Sequence, residues 1–207
     1  MQAAPLLEWS EPVTQFVGFV ASFLATGAIG FRYAAVRDRL GRADVDAAER
    51  TVYARATQRA AVLGLIGAGV ELLLAFMQLP SAAARAHVSV GALVTTDLQT
   101  IAQLILLALA IAGLVLAARS RWSGWPIAAA GVIGELFVVV LSGRWSRLVN
   151  PVHRLAGGLW IGTLFVLVVA GLGTVLRDDA SRERRGVITA AMVNGRHSGP
   201  RPMAMPC

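Results

Sequence analysis

The sequence predicts an all-α integral membrane protein: a bundle of five transmembrane helices, with the N-terminus outside and the C-terminus cytoplasmic. Three observations predict it. Of 207 residues, 56% are hydrophobic and only 15% charged, against about 25% charge in an ordinary soluble domain, and the mean hydropathy is +0.64. Five apolar stretches are long enough to cross a bilayer. The basic residues fall mostly on one side of those stretches.

A hydrocarbon core of about 30 Å needs about 20 helical residues rising ~1.5 Å each. The stretches 13–31, 60–79, 98–118, 126–143 and 155–176 meet that length. The first, third and fifth carry no charge, the second holds Glu71, and the fourth holds Glu135. The fourth is the shortest, and read as a re-entrant segment it would leave four spans. Ahead of the first, residues 1–11 lack Lys and Arg and carry Glu8 and Glu11. A secretory leader needs a basic start, so the first stretch is expected to stay as a span.

The connections set the orientation. All 19 basic residues are arginine, and 15 of them follow spans one, three and five. Four fall on the other side: Arg85, Arg144, Arg147 and Arg154. An excess of cytoplasmic arginine puts the N-terminus outside. The net charge of +7 is thus a topology signal and not a nucleic-acid patch. The inner loop 37–59 reads as a helical extension near the headgroups, and the outer loop 80–97 as a short interfacial helix. Residues 1–176 form one transmembrane domain, and 177–207 a polar cytoplasmic tail. Cys207 is the only cysteine and the last residue, which excludes an intramolecular disulfide.

Charged groups at bilayer depth are costly and point to function. Glu71 shares a helix face with Gly64, Gly67, Ala68 and Ala75, and Glu135 with Ala128 and Gly131. Small-residue faces pack against other helices, so both acids are expected to point into the bundle. They would form a proton or cation relay, or a pair sharing a hydrogen bond. The plainer alternative is a protonated carboxyl donating to a helix carbonyl.

Topology places His87 in the outer loop, His153 at the outer end of span five and Met77 near the outer end of span two. Imidazole with thioether is a soft donor set that suits copper. The plainer alternative has His153 anchoring a helix end and Met77 facing lipid. In the tail, His197, Met203, Met205 and Cys207 could bind Cu(I), although an unstructured terminus explains them as well. Gly158 and Gly162 permit close helix approach. Trp122 and Trp125 on the inner side and Trp145 on the outer side read as an interfacial belt. No hydrolase triad, phosphate-binding loop or zinc spacing occurs, and no span holds a histidine pair for haem, so no enzyme is expected.

The segments 141–144 and 150–162 resemble the copper resistance protein D (CopD) domain family. The resemblance rests on His153 opening a late span, followed seven residues on by Trp160, then Ile161 and Gly162. It implies a multi-pass bacterial inner-membrane protein that binds or transports copper, with His153 as a ligand and His87 and Met77 as helpers. Arg144 departs from the pattern, because family members often carry histidine there. A permanent cation at the outer mouth would repel copper. That departure favours the alternative, a non-catalytic accessory or scaffold subunit of a larger respiratory or photosynthetic membrane complex. The expected partners are the lipid bilayer and other membrane-protein subunits, with no nucleic acid.

Overall fold

The computed structural model describes residues 10–37, 45, 47–142, 148–177, 189 and 193. Every regular element among them is helical. Helix α1 runs Ser10–Gly30 and continues as a π-helical turn over Phe31–Val36. Helix α2 covers Ala47–Ala86, α3 Val90–Thr96, α4 Leu98–Ala118 and α5 Gly124–Phe137. A 3₁₀ turn, Val138–Ser142, extends α5. The last helix, α6, is Val149–Leu176, with π-helical turns at Gly158–Gly162 and Leu167–Leu172. Four of these helices (α1, α2, α4 and α6) are long and apolar enough to cross a membrane, and α5 is shorter. The chain is a multi-pass membrane protein.

Several boundaries differ from the sequence reading. Residues 47–59, within the stretch expected as a helical extension, are helical and continuous with the span as the start of α2, whose 40 residues extend about 60 Å. Val52, Tyr53 and Ala56 are buried there, so this part of α2 is packed against the bundle. At its other end α2 runs through Pro80 to Ala86. The short helix of the 80–97 connection is α3, capped by the Ser89 hydroxyl accepting from the Ala92 amide at 3.1 Å. The last helix starts at Val149, six residues before the apolar run, because Pro151 falls in its first turn, where a missing amide costs nothing. Arg154 therefore belongs to a helix and not to a loop. Trp125 is buried in the core, against the belt role expected of it, whereas Trp122 is exposed. Arg144 and Trp145, the N-terminal residues 1–9 and the tail residues His197, Met203, Met205 and Cys207 lie outside the described residues.

Two close helix pairs hold the bundle. Helices α4 and α5 form an antiparallel hairpin joined by a tight turn, in which Ser120 adopts a left-handed φ of 62°. Its amide donates to Ala117 O and that of Arg121 to Leu116 O, at 3.0 and 2.9 Å, which closes the end of α4. Along this hairpin Gly113 sits against the Ala128 backbone, Gly124 against Ala117 and Gly131 against Ala110. Helices α1 and α6 cross as closely, with Gly27 on the Gly162 backbone and Gly158 on Thr26. Lipid tails give apolar side chains no reason to leave them, so backbone proximity supplies the packing.

The large buried side chains gather at one end. Phe31, Val36, Tyr53, Leu114, Trp125 and Val175 form a continuous core there. The Tyr53 hydroxyl donates to Glu49 Oε1 at 2.9 Å, and Arg59 donates to Thr174 Oγ1 at 2.9 Å. The opposite end, where α1 and α6 begin, has no such core among the described residues, and it is there that the polar groups collect.

Packing this close makes a direct prediction. Gly131→Leu must force α4 and α5 apart, so it should cost about 1–3 kcal/mol or more and lower the unfolding temperature in detergent. Gly69→Ala meets nothing within 4 Å and should leave that temperature unchanged or slightly raised. A second prediction concerns Asp97, which caps α4 by accepting from the Thr100 amide at 2.8 Å and hydroxyl at 2.6 Å. Those two donors, the hydroxyl first, hold its carboxyl below the usual carboxylate range. A depressed folded value stabilises the fold above the unfolded value of about 3.9 and is lost as pH falls through the folded one. Asp97→Ala should cost about 1 kcal/mol at neutral pH, and the gap to wild type should close as pH drops below about 3.9.

Candidate functional site

The polar groups of four helices converge because α4 and α6 begin at the end toward which α2 and α5 run. Gln103 and Arg154 lie in the second turns of α4 and α6, while Glu71 and Glu135 come from the later parts of α2 and α5. All four therefore reach the same level near one end of the bundle. Helix α1 enters at that level with Gln15, Phe19 and Ser22.

The contacts are specific. Arg154 Nη2 lies 3.7 Å from Glu71 Oε1, with 28% of the Arg154 side chain and 12% of the Glu71 side chain accessible. Ser22 of α1, itself buried, neighbours the same carboxylate. The guanidinium also sits over the Phe19 ring, 5.7 Å from its centroid, a favourable placement for a cation. Gln103 Nε2 donates to Glu135 Oε1 at 3.3 Å. Arg154 acts electrostatically on both carboxylates. Its Nε is buried without a hydrogen-bond partner, so one strong donor remains uncommitted.

Two open cavities share this cluster. The larger, about 690 Å³, is lined by Gln99, Gln103, Glu135, Asn150, His153 and Arg154 among others. The smaller, about 430 Å³, is lined by Gln15, Glu71, Gln78, Gln103, Glu135 and Arg154 among others. Gln103, Glu135, Asn150 and Arg154 form the wall between them. The chamber offers carboxylates, amides and one guanidinium: groups that recognise a small hydrogen-bonding or charged solute.

The expected site residues divide. Glu71 and Glu135 are brought together, and His153 lines the larger cavity. His87 and Met77 line neither. His87 ends α2 in a left-handed conformation (φ 55°), where its amide donates to Ala84 O and that of Val88 to Ala83 O. That geometry terminates a helix and accounts for His87 locally. Met77 is 68% exposed, and Trp160 72% exposed, so both face outward. Gly162 packs on α1. Among the described residues no three His, Cys, Asp or Glu side chains gather as a metal site, and neither cavity is lined by a thiol or thioether.

Sequence reasoning missed Arg154 and Gln103. The sequence marks Arg154 only as a flanking charge before span five, because the apolar run begins at Leu155. The signal that could have placed it was Asn150-Pro151, a helix start, which puts Arg154 one turn inside. Gln103 is uncharged and gave no warning.

An ion pair in this setting gives a sharp expectation. Arg154→Leu leaves Glu71 without its cation and should cost about 2 kcal/mol, less than the roughly 3–5 kcal/mol of a fully buried pair because the arginine is partly accessible. The double variant Glu71→Leu/Arg154→Leu should recover most of that loss in a thermal or denaturant cycle. No protein family, curated protein or solved structure matches the chain, so its function is read from the chamber.

Proposed function

We propose that this chain is a five-span protein of a bacterial cytoplasmic membrane, N-terminus outside, that takes a small polar solute into the chamber between Glu71, Gln103, Glu135 and Arg154. The observation that carries the reading is the chamber itself. Its combined walls come from five helices at bilayer depth, its cavities fall in the size range of small-molecule sites, about 300–1,000 Å³, and charged groups at that depth are kept for function. The arginine distribution puts its mouth on the outer face. The five-span count is supported by α5, which with its 3₁₀ extension reaches about 31 Å and lies antiparallel along α4.

A second reading, copper handling, is favoured by one observation: His153, the residue on which the CopD resemblance turns, lines the larger cavity. There it is the one imidazole on the walls among the described residues, so copper would draw on a set poorer in soft donors than the His153, His87 and Met77 trio. Metal analysis of natively purified protein tests it, with copper expected at one per chain and lost in His153→Ala. The same preparation reports co-purifying chains, which the accessory-subunit alternative requires.

The primary reading is tested by thermal-shift screening of the purified protein against small polar solutes, followed by uptake in proteoliposomes. At least one class should stabilise the protein and be taken up, and Glu135→Gln and Arg154→Gln should reduce uptake at least tenfold. Solutes that neither stabilise nor enter, or uptake indifferent to both variants, would overturn it.

A further inference from the structure

We propose that the chamber holds one exchangeable proton, shared by Glu71 and Glu135, and that Arg154 switches between the two carboxylates as the proton changes sides. The inference rests on the chamber being a working site and names how it is regulated.

Charge arithmetic comes first. Among the described residues, Glu71, Glu135 and Arg154 are the charged groups lining the smaller cavity. From α1 and α4 the facing groups are Gln15, Ser22 and Gln103, none of which titrates, and His153 faces the larger cavity beside Glu135. Two ionised carboxylates and one guanidinium leave one uncompensated negative charge. In an apolar layer such a charge is expensive, and a single proton removes it.

Geometry supplies the switch. At 3.7 Å the Arg154–Glu71 contact is looser than a charge-assisted hydrogen bond of about 2.7–2.9 Å, so little holds the guanidinium on one partner. Its Nε is unpartnered, and Glu135 lies on the same cavity wall. Gln103 suits a carboxyl group in either state, because its amide can donate to a carboxylate or accept from a carboxylic acid. In the arrangement seen, Arg154 lies against Glu71 and Gln103 donates to Glu135; in the proposed cycle this is the state in which Glu135 carries the proton. When Glu135 releases its proton to water in the chamber, Arg154 moves to it and Glu71 takes a proton from the same water. The proton count stays at one throughout.

The test is infrared difference spectroscopy of the full chain in nanodiscs across a pH series, read in the carbonyl stretch of protonated carboxyl groups. Wild type should show one such group per chain at neutral pH. Glu71→Gln and Glu135→Gln should each abolish it, because Arg154 then neutralises the remaining carboxylate. Arg154→Gln should double it. No protonated carboxyl in wild type, or a band that survives both glutamine variants, would overturn the proposal. The wild-type reading needs no variant to fold. The band is also measured without solute, so a chain that transports without it fails only this inference. A chain with the expected pattern and no uptake fails only the transport reading.

Discussion

A guanidinium drawn in among apolar helices must be met there by an anion, and much of this bundle follows from that requirement. Arg154 is placed by the early start of α6, Glu71 by the long α2, and the two meet only if α2 and α6 are both in register with α1 between them. Phe19 and Ser22 on α1 complete the arrangement, one under the cation and the other beside the carboxylate. Losing the register of any of these helices would leave a charge without its partner, a penalty of the same order, about 2 kcal/mol, as the loss of a close helix contact. The polar cluster thus acts as a register pin for helices whose remaining contacts are largely apolar and tolerant of sliding.

Glycine contacts do the complementary work. Where Gly27 meets Gly162 and Gly131 meets Ala110, backbones touch and dispersion between main chains replaces side-chain packing. These contacts fix distance, whereas the ion pair fixes register. The apolar core of Phe31, Tyr53, Trp125 and their neighbours then closes the end away from the chamber. The result is a bundle sealed at one end and open at the other.

The sequence is most legible where residues contradict their solvent, and the two acids so marked line one cavity. Glu71 and Glu135 stood out as acids in apolar runs, and their small-residue neighbours pointed them inward. The sequence is least legible where a residue agrees with a wrong setting. An arginine just ahead of an apolar run looks like an ordinary flanking charge, so Arg154 went unnoticed until the helix start at Val149 placed it inside. Trp125 near a span end looked interfacial, yet α5 begins before it and turns it into the core. His87 looked like a ligand because histidine is rare here, although its left-handed φ gives it a helix-ending role that no composition reveals. The gathering of Gln103, Glu135, Asn150 and Arg154 depends on long-range register, which no single stretch encodes.

The open chamber also changes the electrical thickness of the membrane. In the proposed topology, water entering the cavity to the second turns of α4 and α6 would carry the conducting phase inward with it. The transmembrane potential then falls across the dry layer that remains, between Glu135 and the Tyr53–Trp125 end, and the field there is steeper than in plain bilayer. A charge moved through that remaining layer experiences nearly the full potential, about 2.3 kcal/mol per elementary charge per 100 mV, while travelling only part of the distance. Arg154 and its two carboxylates stand at the edge of this focused field.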